Sequence, residues 1–255
     1  MPVRELDAID DYIQFNGTFD VNSATKAVTL LAVMKLVGDV ASDAGLFGVG
    51  NSATNGQVAG FYERGSGNLT WGTDDPAADD VSSIDFDDAG GALQNIWVIL
   101  AMNKAEGSAV ARFHIMPLSS GTWTHTPGAL SIPARTGAVP AQAFINRFVG
   151  GGGFRGLRIA TAAVFDTSLS DTSIASVGTA LTTASIAALS PIALWDFNQA
   201  STGTSVSDLI GSNNQGAING TTVITGDDPP GWTFGLGTPT FTPNYSRFPK
   251  FLLRK

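Results

Sequence analysis

Apolar and polar residues alternate along this chain in short bursts, separated by clusters of Gly, Asn, Ser and Asp. The first clear burst is Asp11–Phe15 (DYIQF). Ala27–Val37 (AVTLLAVMKLV) follows and is apolar on both faces, the pattern of a strand buried inside a sandwich. Gly45–Gly50, Gln57–Arg64 and Asn68–Gly72 predict three short strands between turn residues. The Asp-rich stretch after them has no period and predicts a loop. Ile96–Met102 (IWVILAM) and Ala109–Met116 (AVARFHIM) flank the polar Asn103–Ser108, which predicts a hairpin. In its second strand Ala111, Phe113 and Ile115 alternate with Arg112, His114 and Met116, and this places His114 on the more polar, surface or interface side. Ala143–Phe148, four glycines at 150–153 and the alternating Phe154–Phe165 come next. One short helix is predicted from the N-cap Ser170, with Asp171 in its first turn and Ile174, Val177 and Leu181 as its stripe. Ile192–Phe197 (IALWDF) is a further strand.

About a dozen short strands and one helix, punctuated by turns, describe an all-β sandwich. A core containing Leu30, Val33, Trp97, Ile99, Phe113, Ile159, Val164 and Trp195 is expected between its two sheets. Composition agrees: 43% of the 255 residues are hydrophobic and only 14% charged, and 30 Gly and 12 Pro supply the turns. With no cysteine, disulfides and thiolate metal sites are excluded. A formal charge of −8 argues against nucleic acid as a partner, because that binding neutralises phosphates with Lys and Arg. The opening MPVRELDAIDDY lacks the basic and apolar regions of a signal peptide, and the longest apolar run is too short to span a bilayer. The expectation is a soluble protein made in a cytoplasm. One sandwich domain is expected over residues 1–236, followed by an arm over 237–255.

Several segments resemble the concanavalin A-like (laminin-G-like) jelly-roll superfamily. DYIQF resembles its opening strand and VTLLAVMKL the long apolar strand after it. IWVILAMNKAEGSAVARFHIM is similar to its Trp-headed hairpin. FRGLRIATAAVFDTSLSDTSIASV resembles its late strand, turn and short helix. IALWDF with DLIGSNNQGAINGTTVITGDDPPGW resembles a segment that usually precedes the opening strand, so its place here implies a permuted order. Variants ending in a DDPPGW-like segment resemble minor tail and capsid-surface proteins of tailed bacteriophages. The resemblance implies a virion structural protein, made in the host cytoplasm, with itself and other virion proteins as partners. A carbohydrate-binding adhesin is the alternative, and a glycoside hydrolase a third.

The chemistry can be weighed residue by residue. The superfamily's hydrolases carry a Glu-x-Asp-x-Glu strand, whereas Glu5, Glu63 and Glu106 are the only glutamates here, so no catalytic residue is expected. Calcium would take hard oxygen ligands, for which Asp74, Asp75, Asp79 and Asp80, or Asp227 and Asp228, are the candidates, with hydrated acidic loops as the plain reading. Host-surface glycans would use aromatics in loop-like settings, here Trp123, His125 and Trp71, although packing competes for Trp123. The arm has Pro239, Pro243 and Pro249 against helix, yet it is rich in aromatic and apolar residues. Phe241, Tyr245, Arg247, Phe248, Lys250, Phe251, Leu252 and Arg254 are therefore expected to contact a neighbouring subunit or a partner, forming a homo-oligomer.

Overall fold

The computed structural model describes residues 2–7, 10–17, 19, 27–37, 44–51, 56–63, 69–72, 84–86, 93–108, 110–125, 130–131, 142–147, 156–198, 205–211, 215–220, 222–225 and 227–236. In chain order its strands are β1 (Pro2–Leu6), β2 (Tyr12–Phe15), β3 (Val28–Leu36), β4 (Ala44–Asn51), β5 (Gly56–Glu63), β6 (Leu69–Gly72), β7 (Ile84–Phe86), β8 (Trp97–Lys104), β9 (Val110–Pro117), β10 (Thr124–His125), β11 (Leu130–Ser131), β12 (Gln142–Ile145) and β13 (Leu157–Phe165). Helices α1 (Asp171–Ala180) and α2 (Thr183–Ala187) follow, then β14 (Ala193–Asp196), β15 (Ser205–Val206), β16 (Gly216–Asn219) and β17 (Thr222–Thr225). Two antiparallel sheets result, and the fold is a jelly-roll β-sandwich. Sheet A runs β10-β9-β8-β3-β13-β1-β17, with β11 also on β9 and β14 also on β13; sheet B runs β15-β16-β2-β12-β4-β5-β6-β7.

The apolar run VTLLAVMKL becomes β3, in the middle of sheet A between β8 and β13, and is buried along both faces. Its even positions Leu30, Ala32 and Met34 enter the core between the sheets. Leu31 and Val33 enter a second core on the outer side of sheet A, beneath the helices. The expected single core therefore divides. Leu30, Phe113, Ile159, Val164 and Trp195 lie between the sheets, but Val33, Trp97 and Ile99 lie in the outer core. Sheet A is covered on both sides because α1, α2 and the segment 227–236 cap its outer face.

Helix α1 begins where the sequence indicates: the Ser170 side chain accepts from Ser173 N, and Ile174 and Val177 are buried. It ends at Leu181, whose left-handed backbone (φ 50°) turns the chain into Thr182, the N-cap of a second helix. Two helices thus stand where one was expected. The segment after the helices returns to the strands that begin the described fold: β16 pairs with β2 in sheet B, and β17 pairs with β1 in sheet A. No helix among the described residues is long and apolar enough to cross a membrane.

Candidate functional site

The outer core is sealed by polar contacts that the strands hold in register. Thr29 Oγ1 donates to Thr167 O (2.7 Å) and accepts from Leu169 N (3.0 Å), while Asn103 Nδ2 donates to Leu169 O (2.6 Å). That leaves Asn103 Oδ1 facing His114 Nε2 at 2.8 Å, so this nitrogen carries the hydrogen and donates. His114 is 0% exposed and corrects the expectation of a surface histidine. Alternation places it beside Arg112, but the loop before α1 covers that face. Arg112 itself pairs with Asp171 of α1 at 2.6 Å.

Residues 227–236, which contain the DDPPGW motif, form a strap over the same face. At one end Asp227 bonds Lys35 Nζ (2.9 and 3.0 Å) and Arg158, which also bonds Glu5. Burial pushes the Asp227 carboxyl up, but the hydrogen bonds and charges of Lys35 and Arg158 outweigh it and hold the group below its ordinary value. Trp232 is buried in the middle, and Thr233 exchanges backbone bonds with Leu181 and Thr183. At the other end Gly235 N donates to Asp196 Oδ2 (2.6 Å), Asn198 N donates to Oδ1 (2.9 Å), and the Thr183 hydroxyl donates to Oδ2 (3.4 Å). Burial raises the Asp196 carboxyl above its ordinary value against these three donors.

Of the residues nominated for binding, Trp123 is half-buried against the outer core. A Cβ on Gly178 of α1 would lie 2.8 Å from Trp123 Nε1 and 2.7 Å from Met116 Sδ, so the indole is pressed onto the helix backbone. Backbone register pairs His125 with His114 and Trp71 with Phe61; the side chains of His125 and Trp71 lie outside the described structure. Asp74, Asp75, Asp79 and Asp80, and the arm residues Phe241, Tyr245, Arg247, Phe248, Lys250, Phe251, Leu252 and Arg254, lie outside the described residues. Asp227 is committed to the strap's ion pairs, and Asp228 beside it is half-buried.

An acidic group that the sequence reading passed over sits between β1 and β2. Asp7, Asp10 and Asp11 bring carboxylate oxygens within 4.8 Å of one another. Asp10 N donates to Asp7 Oδ1 (3.2 Å) and Asp7 N to Asp11 Oδ2 (2.9 Å). Asn146, in the left-handed region at φ 59°, donates from Nδ2 to the carbonyls of Asp7 (3.1 Å) and Asp11 (2.9 Å). Burial, and then the charges of Asp7 and Asp10, raise the Asp11 carboxyl even though it accepts from Asp7 N. These are hard oxygens of the kind calcium takes. Two of them already serve backbone N–H groups, and the loop reads as a braced turn. Its signal in sequence was the density of acids in ELDAIDD.

Beyond Asn146 the outer face of sheet B sets polar side chains around a buried phenylalanine. Ile13 and Phe15 point into the core, and so do Ala143 and Ile145. Their alternates on the opposite face are Tyr12, Gln14 and Gln142, which are half-buried, and Phe144, which is buried opposite Gln14. Gln14 Nε2 donates to Gln142 Oε1 (3.2 Å), and the Arg147 guanidinium lies 4.5 Å above the Tyr12 ring.

No protein-family model matches the chain, and no curated protein matches it. Among solved structures it is similar to full-length tailspike protein 2 from Escherichia coli O157:H7 bacteriophage CAB120, at 16% identity over 68% of this chain and 23% of that one, with a TM-score of 0.49. It is similar to the botulinum neurotoxin serotype D binding domain at 14% identity over 70% of this chain and 42% of that one (TM-score 0.49). The heptameric SAP-like pentraxin from Limulus polyphemus is 13% identical over 69% of this chain and 81% of that one (TM-score 0.47). The chain therefore spans 23% of the tailspike and 42% of the toxin domain.

Proposed function

We propose that this chain is a non-enzymatic structural protein of a bacteriophage virion, a minor tail or capsid-surface component that acts by assembly and also engages host-surface glycans. The observation that carries the reading is how the segments of the resemblance meet. Strand β13, the DTSLSD turn, α1 and the DDPPGW strap close one outer core, tied by the Thr29–Asn103–His114 contacts and the Asp227 and Asp196 anchors. Carboxylates in this region bind backbone N–H groups or cations of their own chain, which is a structural use of charge. Residues 237–255 carry four of the 14 basic residues and none of the 22 acidic ones, so they complement the acidic remainder of a second copy.

The test is localisation. Gold-labelled antibody against the chain should decorate purified particles at one repeated position on tail or capsid surface. Particles that assemble, infect and show no label would sink the virion reading. Reducing sugar released from host polysaccharide by the purified protein would instead favour the hydrolase.

A further inference from the structure

We propose that the outer face of sheet B around Arg147 binds saccharides that bear a carboxylate. This rests on the host-glycan part of the function above and supplies its chemistry and its residues. The starting point is an unpaired cation. Lys35, Arg112 and Arg158 are each paired with a carboxylate of their own chain. Arg147 has neither a hydrogen bond nor an ion pair among the described residues, and its Nε is buried without an acceptor. Its contact with the chain is the Tyr12 ring, on which the guanidinium rests at 4.5 Å. In a protein of net charge −8 the common fate of a guanidinium is capture by a carboxylate of its own chain. Arg147 leaves β12 just after the left-handed Asn146 and pairs with no described carboxylate, although Asn146 beside it holds the Asp7–Asp10–Asp11 turn. The four adjacent strands β15, β16, β2 and β12 read SV, GAIN, YIQF and QAFI and hold no charged residue.

A guanidinium held flat presents its donors as a planar fork, which fits the two oxygens of a carboxylate. Further along the same face, beside Phe144, the bond from Gln14 Nε2 to Gln142 Oε1 leaves Gln14 Oε1 and Gln142 Nε2 without a described partner. One acceptor and one donor side by side suit the hydroxyls of a sugar ring. An acidic peptide fits less well. It gains affinity from a sheet by adding at an edge, whereas β2 lies between β16 and β12, and β12 between β2 and β4, with both edges of each strand already paired.

The experiment probes the full chain with a glycan array of acidic saccharides and neutral counterparts, including oligogalacturonate against its methyl ester and sialyllactose against lactose. Polyglutamate serves as the acidic peptide control. The expected result is binding to acidic members that falls about tenfold or more when the carboxylate is masked or Arg147→Gln is introduced, the loss that follows a missing charge-assisted bond. Gln142→Ala should weaken binding several-fold, and raised salt should weaken it further. Both variants should melt as the wild type does. Equal affinity of Arg147→Gln and wild type, or equal binding of acidic and neutral partners, overturns the site while leaving glycan attachment standing. Polyglutamate competing as well as the best saccharide overturns the ligand class. A silent array overturns this proposal and the host-glycan reading together, and leaves virion localisation to the antibody test.

Discussion

Replacing Gly178 by alanine sets two effects of opposite sign against each other, and the structure decides which wins. Gly178 lies inside α1, where a Gly to Ala change in an open helix would stabilise by about 1 kcal/mol. The added methyl, however, would stand 2.7 Å from Met116 Sδ, 2.8 Å from Met116 Cε and 2.8 Å from Trp123 Nε1. The thioether tail can swing aside, whereas the rigid indole must move as a unit and lose its contact with the outer core. Overpacking of this kind costs about 1–3 kcal/mol, so a net destabilisation of about 1 kcal/mol is expected. Urea denaturation of the single variant should show a lower midpoint with an unchanged slope. In a Trp123→Ala background the indole is gone, and Gly178→Ala should become neutral or stabilising, a coupling of about 1 kcal/mol. If Gly178→Ala raises the midpoint in the native background, Trp123 does not press on the helix. It is then free to serve as the exposed aromatic that its loop setting suggests.

Three further outcomes are expected. Trp195→Ala should cost about 3–5 kcal/mol in urea denaturation, because its buried ring stacks on Phe15 of the opposite sheet (3.8 Å) and meets Phe19 edge-on (6.2 Å); a loss under about 1 kcal/mol would contradict its place in the core. Asp196 is raised in the folded state, so its contribution is greatest below the ordinary carboxylate range and is lost as pH rises through its folded value, whereas Asp227 is lowered and its contribution is lost as pH falls through its own. Urea midpoints between about pH 4 and 7 should therefore show wild type gaining on Asp196→Asn as pH drops, and losing its advantage over Asp227→Asn. Deleting residues 238–255 should leave the circular dichroism and melting unchanged but weaken self-association in sedimentation; normal assembly with a much lower melt would show that the arm serves its own domain.

The strands that periodicity predicts are those whose surroundings are uniform along their length. β3 shows as an unbroken apolar run because both of its faces are buried, and β13, read as alternating, is likewise buried on both faces, its side chains divided between the two cores. The start of α1 was legible because Ser170 and Asp171 are local signals. α2 was not, since the five residues TASIA are too few for a stripe, and β1 was hidden by the charged Arg4 and Glu5. His114 was misplaced because alternation tells that two residues share a face but not what covers it. The braced acidic turn and the Arg147–Tyr12 pair were out of reach for another reason. Each joins the chain's first strands to residues 146–147, and nothing in either local sequence announces the other.

The adjacency of β1 to β17 and of β2 to β16 bears on the order in which the protein can be made. β1 and β2 are synthesised more than 200 residues before β17 and β16, which cover one side of each. At ordinary translation speeds the wait is roughly 10–40 s. Throughout that interval both sheets keep an open flank, one on β1 and one on β2, each able to pair with a strand of another nascent chain. A chain that terminates before residue 216 keeps both flanks for good, and should be a stronger seed of aggregation than its small loss of length suggests. A chaperone bound over β1 and β2 during this interval would raise the yield of folded protein more than one acting after release.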